Sequence, residues 1–254
     1  GVAYLEAMSP VDCIFLDPAR RNEHGGKTVA ISDCEPNVAE LEGLLLSKAN
    51  RIMIKLSPML DLSQALKELP HTQEVHIISV NNECKELLLL LGQTAPEEIP
   101  VHCVNLSTKG EQEKQLFVFT REQEQHSECS YTDTLGNYLY EPNASLLKAG
   151  AFRSIAAAYS VKKLHPNSHL YTSDTQIEGF PGRTFRIINR CSLNKKEIKE
   201  NLSDLKKANI TVRNFPATVA ELRKRIKLAE GGDTYLFAST LNDGQKILIR
   251  CGKV

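Results

Sequence analysis

Short apolar runs that stop abruptly at proline, with helical periodicity between them, constrain this chain more than any other feature. Val11–Leu16 (VDCIFL) ends at Asp17-Pro18, and Arg51–Leu56 (RIMIKL) ends at Ser57-Pro58. Each reads as a buried strand closed by a residue pair that cannot continue a ladder. The polar, glycine-containing stretch from Arg20 to Thr28 reads as a loop. Glu35-Pro36 is expected to open a helix to about Lys48, with Val38, Leu41, Leu44 and Leu45 on one face. Asp61 is the expected N-cap of a helix to Leu69. Glu74–Val80 reads as a third strand, and Cys84–Leu91 as a short apolar helix or a continuation of that strand. Val101–Leu106 and Gln115–Thr120 read as an antiparallel hairpin. Strands separated by helices predict βαβ units and a largely parallel sheet.

A polar stretch, Glu122–Ser130, marks the expected boundary of this first part. Asn143–Tyr159 reads as one Ala-rich helix carrying Leu146, Leu147, Phe152 and Ile155. Loop chemistry follows at His165–His169 and Gly179–Gly182. Arg183–Asn189 alternates as a strand, and Asn194 with Glu197 has the capping-box spacing for a helix to Ala208. Ile210–Phe215 reads as a strand. Thr218 with Glu221 repeats the capping box for a helix to about Leu228, closed by Gly231-Gly232. Tyr235–Thr240 and Lys246–Cys251 flank Asn242-Asp243-Gly244, a strong hairpin signal. The last third is therefore expected to be β-α-β-α-β-β.

At 254 residues the chain has room for about two domains, or one large one. Its longest apolar run, Leu87–Leu91, is far too short for a membrane span, and GVAYLEAMSP has no signal-peptide pattern. Seven cysteines (13, 34, 84, 103, 129, 191 and 251), none in a CxxC pair, are the usage of reduced thiols. The expectation is a soluble cytoplasmic protein with no membrane partner. A net charge of zero hides an asymmetry. Residues 1–128 hold 11 Lys+Arg against 20 Asp+Glu, a net of −9, and residues 129–254 balance it at +9. A basic half is the footprint expected of a phosphate-binding surface, so contact with nucleic acid is expected of it.

In open α/β sheets ligands bind outside the carboxyl ends of the strands, where Asp17-Pro18-Ala19-Arg20 falls. Asp17 offers acceptor oxygens, and Arg20 and Arg21 can clamp a phosphate. In the basic half, Arg213, Asn214, Arg223, Lys224 and Arg225 form the best RNA-facing set. His165 and His169 are four apart, but Pro166 and Asn167 between them argue for a loop. No second Cys/His pair has zinc spacing, so no metal site is expected. Cys84 has no histidine nearby and reads as a buried thiol.

The stretch IFLDPAR, then a helix, RIMIKLSP, EVHIISV and a terminal strand pair resembles the second half of a class I S-adenosylmethionine-dependent methyltransferase. There an Asp-Pro-containing tetrapeptide ends a strand and faces both methyl donor and target base. The whole chain is similar to bacterial class I methyltransferases with a C-terminal THUMP-like domain. Its marks are LDPARRNEHGGK, DCEPN, IKLSPMLD, VNNECKELLLL, YEPNASLLKAGAFRSIA, LHPNSHLYTS, RNFP and GGDTYLFA. The resemblance implies an α/β protein in three pieces. Residues 1–126 would be the C-terminal part of a partial doubly wound (Rossmann-like) methyltransferase sheet, 127–184 a linker and small ferredoxin-like unit, and 185–254 a basic THUMP-like domain. It implies S-adenosylmethionine as methyl donor, Asp17 and Pro18 at the catalytic crevice, and Arg20, Arg21, Lys55 and Ser57 around the substrate. THUMP domains are associated with tRNA and other RNA, rRNA included.

Two departures shape the expected chemistry. Ala19 stands where base-N-methylating relatives usually have Pro, and Arg20 where many carry a stacking aromatic. Lys55-Leu56-Ser57-Pro58 lacks the cysteine that pyrimidine C5 methyltransferases use as nucleophile. Ten residues precede the first strand, and none forms a Gly-rich turn for the donor. The chain is therefore expected to be a piece of a longer protein with an incomplete donor site, alone inactive. A partner chain that completes the sheet is the alternative. A catalytically inactive scaffold that binds RNA is the rival reading of function, and an enzyme with a small-molecule substrate a third.

Overall fold

A computed structural model describes residues 1–20, 30–108 and 114–254. The chain divides into two compact units. One comprises Gly1–His126 with Ala144–Ala151, the other Ser127–Asn143 with Phe152–Val254.

The first unit begins with α1 (Val2–Ala7) and β1 (Val11–Leu16), followed by a two-residue ribbon of β2 (Ala19–Arg20) and β3 (Cys34–Glu35). Then come α2 (Val38–Lys48), β4 (Ala49–Leu56), α3 (Leu62–Glu68), β5 (Thr72–Val80), β6 (Glu83–Leu91), β7 (Pro100–Leu106), β8 (Lys114–Thr120) and α4 (Arg121–His126). α5 (Ala144–Ala149) also packs here, against β5, β6 and β7. Its Ala144 N–H donates to Asn82 Oδ1 at 2.8 Å, and Lys148 Nζ donates to the Leu60 carbonyl at 2.7 Å.

Six strands form one sheet in the order β1-β4-β6-β5-β7-β8. β1 runs parallel to β4 and β5 parallel to β7, whereas β6 is antiparallel to both its neighbours and β8 is antiparallel to β7. The expected largely parallel sheet is thus mixed. Cys84–Leu91 is the reason: it is neither a helix nor a continuation but a reversed strand. Asn81 and Asn82, both left-handed at φ 51° and 64°, make the two-residue turn that returns the chain. Five successive leucines carry no period, so this run cannot distinguish helix from strand.

One face of the sheet is fully buried: Ile52, Ile54, Val75, Ile77, Leu87, Leu89, Val101 and Cys103 are all at most 1% exposed. Positions between them, such as Met53, His76, Leu88 and His102, are only half-buried. β1 was expected to be buried, but it lies at the sheet edge, where Val11, Cys13 and Phe15 are exposed. α2 starts two residues beyond the expected proline, at Val38: Asn37 is the N-cap, accepting from the Ala39 N–H. Asp61 caps α3 as expected, accepting from Gln64 N–H at 2.9 Å.

The second unit contains β9 (Tyr138–Pro142), α6 (Arg153–Ala158), β10 (Lys162–Lys163), β11 (Tyr171–Ser173), β12 (Gly182–Cys191) and α7 (Lys195–Leu202). It closes with β13 (Asn209–Arg213), α8 (Val219–Ile226), β14 (Thr234–Thr240) and β15 (Lys246–Lys253). All seven strands join one sheet, β10-β11-β9-β12-β15-β14-β13. β12 is the seam, paired antiparallel with β9 on one side and β15 on the other. Gly182 makes that seam possible: a Cβ there would sit 2.1 Å from the Glu141 carbonyl oxygen.

Both faces of this sheet are filled. Phe237, Ile247, Ile249 and Cys251 pack with Leu139, Leu164, Leu170 and Phe185. Leu236, Ala238 and Leu248 pack on the other face with Leu202 and Leu222 of the helices. The expected single helix over Asn143–Tyr159 is two, α5 and α6, because Gly150 turns left-handed at φ 76°. α7 stops at Leu202, short of Ala208, and α8 ends at a left-handed Lys227 before Gly231-Gly232 is reached. Among the described residues no helix is long and apolar enough to cross a membrane.

Candidate functional site

The parallel register of β1 with β4, Leu16 opposite Ile54, sets Asp17, just past the end of β1, beside Lys55 in the last residues of β4. The Lys55 ammonium lies 2.5 Å from the Asp17 carboxylate, with the two side chains 32% and 52% exposed. The hydrogen bond to Asp17 raises the Lys55 pKa above its ordinary value, against a smaller lowering by burial. Asp17, expected at the catalytic crevice, and Lys55, expected around the substrate, therefore meet in one ion pair. Pro18 is buried and leads directly into the small ribbon strand Ala19–Arg20. Ser57 closes the second strand end: its Oγ accepts from Met59 N–H at 3.2 Å and its carbonyl from Leu60 N–H at 3.1 Å. The Arg20 backbone pairs with Cys34 in the small ribbon. Arg21 lies outside the described residues.

Beside the β1 edge, a groove of about 920 Å³ runs between α1 and α2. Tyr4, Leu5, Met8, Val11, Cys13 and Leu41 give it an apolar character, and among the described residues no Lys, Arg or His side chain lines it. Burial raises the Cys84 thiol, and it pushes those of Cys191 and Cys251 to about 11 and about 12.

The basic residues of the second unit fall into two groups rather than one. Arg213 and Asn214 sit at the carboxyl end of β13. Arg223, Lys224 and Arg225 sit in the last turn of α8, which returns to the amino end of that strand: Arg223 Nη1 donates to the Ala208 carbonyl at 3.5 Å. Arg213 is already engaged, its Nε and Nη2 donating to Glu141 Oε1 at 3.0 and 2.8 Å. Asn214 Nδ2 donates to His165 Nδ1 at 2.9 Å, and its carbonyl accepts from Thr240 Oγ1. It lines an open depression of about 520 Å³ with His165, Phe215, Thr240 and Lys246. Arg225 Nη2 donates to the Leu193 carbonyl at 2.9 Å. Lys224 is exposed. Of the five, Lys224 and Arg225 present the most accessible positive charge.

Comparison with known proteins places these groups in context. The chain resembles a solved structure named "putative methyltransferase from Porphyromonas gingivalis", with 40% sequence identity and a TM-score of 0.86. That match covers 96% of this chain and 60% of the other. This chain thus spans three fifths of the length of the structure it resembles. A family model described as a ferredoxin-like domain matches residues 138–181, and one described as THUMP domain-like matches residues 182–253. No curated protein matches the chain. The fold class is mixed α/β, with ferredoxin-like and THUMP-like domains following the first sheet.

The two matched domains meet at an ion cluster that sequence reasoning missed. Glu141, in the ferredoxin-like range, has a side chain only 2% exposed. Its Oε2 accepts from Arg183 Nε at 2.9 Å and also pairs with Arg183 Nη2, while Oε1 accepts from Arg213 of the THUMP-like range. Nearby, His169 stacks on Phe152 with centroids 3.7 Å apart. Burial first, then the Lys163 and Arg213 cations, push its pKa down to about 4. The YEP of YEPNAS and the LHPNSH segment held these residues, but only the β9–β12 pairing brings them together.

Proposed function

We propose that this chain is part of a methyltransferase that transfers a methyl group from S-adenosylmethionine to RNA, with its basic second unit gripping the RNA backbone. The likeness to the Porphyromonas gingivalis structure over 96% of the chain carries this reading. The placement of Asp17 and Lys55 at the carboxyl ends of adjacent parallel strands supports it. The THUMP-like match and the net +9 of residues 129–254 favour RNA over a small-molecule acceptor.

Within the described residues the fit to S-adenosylmethionine is partial. Asp17, Lys55 and Ser57 offer an acceptor, a cation and a hydroxyl at one crevice. The apolar groove by β1 offers no cation to its carboxylate. When bound, that donor supplies an electrophilic methyl carbon. The part left to Asp17 and Pro18 is to hold the accepting group in line, since a displacement of this kind demands mainly positioning. Lys55 orients the Asp17 carboxylate, and the Arg20–Arg21 pair is suited to a substrate phosphate.

Calorimetric titration of S-adenosylmethionine tests the reading, first into this chain and then into the full-length protein. Binding by the full-length protein is the expected result. Silence there favours an RNA-binding scaffold and removes the enzyme.

A further inference from the structure

The half-buried face of the first sheet carries a cluster that the methyltransferase reading does not use. Side chains alternate along β5, so Glu74 and His76 share that face. β7 runs parallel to β5 with His102 opposite His76. The two imidazoles stack with centroids 4.4 Å apart and planes 8° from parallel. Glu74 Oε2 lies 3.1 Å from His76 Nε2 and 3.8 Å from His102 Nε2. One ligand atom from each residue falls within 4.8 Å of the other two.

We propose that Glu74, His76 and His102 form a binding site for a first-row divalent transition-metal ion, of which Zn²⁺ is the representative. Tetrahedral coordination at about 2.0–2.1 Å puts neighbouring ligand atoms roughly 3.3 Å apart. The two contacts with Glu74, 3.1 and 3.8 Å, bracket that spacing, and one imidazole must turn out of the near-parallel stack for both Nε2 lone pairs to converge on the ion. A Glu74–His76 ion pair alone explains the shorter contact. Stacking on His76 places the His102 Nε2 3.8 Å from the same carboxylate oxygen, so all three donors stand together on one face.

The surroundings suit the same ligand. All three residues stand on strands paired on both sides, by β6 and β8 as well as by each other, so their backbones are fixed before an ion arrives. The side chains are 45%, 27% and 26% exposed in chain order, open enough for a hydrated ion to enter. Leu88 and Leu90 of β6 and Val118 of β8 lie directly across the ladder and supply apolar walls. Two imidazoles with one carboxylate form a borderline nitrogen-rich set, which favours Zn²⁺, Co²⁺ or Ni²⁺ over the oxygen-seeking Mg²⁺ and Ca²⁺. Three protein ligands leave a position for water. The linear spacing hid the site: 26 residues separate His76 from His102, and only the parallel register brings them together.

The test is titration of Co²⁺ and Zn²⁺ into this chain, followed by visible absorption and calorimetry, with Cys13→Ser as background because that thiol is exposed. One equivalent should bind without a thiolate charge-transfer band. His76→Phe, His102→Phe and Glu74→Gln should each weaken it by at least about 100-fold, the upper end of what losing an outer-shell partner alone does. Glu74→Gln is nearly isosteric and still reads the site if an imidazole substitution disturbs the stack, provided the melting temperature without metal is retained. No saturable binding, unchanged affinity in these variants, or equally tight binding of Mg²⁺ overturns the proposal.

Discussion

Asp17 and Lys55 close an ion pair of 2.5 Å that neither residue could form without the other's strand. β1 ends opposite Ile54 while β4 runs on to Leu56, and this parallel register sets Asp17, one residue past β1, beside Lys55. The raised pKa of Lys55, driven first by its hydrogen bond to Asp17, makes the pair testable. A lysine whose pKa is raised on folding contributes stability that is complete below its unfolded value of 10.5 and is lost as pH rises through the folded one. Asp17→Asn should bring the Lys55 ammonium titration, followed by NMR of the side-chain nitrogen, down toward the ordinary value. An unmoved titration contradicts the pairing.

Arg213 has a structural role before any RNA arrives. Arg213→Ala removes two charge-assisted hydrogen bonds from the buried Glu141 carboxylate and should lower stability by about 1.5–3 kcal/mol in urea unfolding. Lys at this position should restore little, because it cannot reproduce the two parallel bonds of the guanidinium. A loss of RNA binding by an Arg213 variant is therefore meaningful only beside its unfolding curve. Full stability in Arg213→Ala contradicts the cluster.

His169 gives the second unit a pH dependence of stability. Its pKa falls to about 4 on folding from the ordinary 6.5, so the native state favours the neutral ring. Its contribution is complete above pH 6.5 and is lost as pH falls toward 4. Asn tolerates the left-handed backbone that His169 adopts at φ 53°. His169→Asn should therefore fold and lose part of the drop in melting temperature between pH 7 and pH 4.5. An identical drop in both proteins contradicts the burial argument.

Local signals in the sequence were reliable where the chemistry is local. Thr218 and Glu221 form the reciprocal box their spacing predicts, with Thr218 N–H donating to the Glu221 carboxylate at 2.7 Å and Glu221 N–H to Thr218 Oγ1 at 3.2 Å. Asn194 also caps its helix, but Glu197 reaches past it to the Ser192 N–H at 2.7 Å, so that pair is not a box. The Asn-Asp-Gly turn joins β14 to β15 as expected. Signals that depend on partners were not legible. Whether Leu87–Leu91 is strand or helix is decided by β4 and β5 on either side of it. The Asp17–Lys55 pair, the Glu141 cluster and the stacked histidines all require a strand register that no linear pattern encodes. Asp17 was found through its strand end, whereas Glu141 sits in mid-sheet with no such marker.

The basic face of α8 is the part of the second unit best placed for nucleic acid. Lys224→Ala with Arg225→Ala should reduce the slope of log affinity against log salt for RNA by about 1.5. Arg225 holds one N–H on the Leu193 carbonyl, leaving its remaining donors for phosphate. An unchanged slope removes this helix from the RNA surface.

The most direct measurement is transfer of labelled methyl from S-adenosylmethionine to cellular RNA by the full-length protein, compared with its Asp17→Asn variant. The account predicts incorporation into RNA by the parent and a fall of at least about 100-fold in the variant, the scale of a lost positioning contact. Equal incorporation by both proteins, or none by the parent, contradicts it.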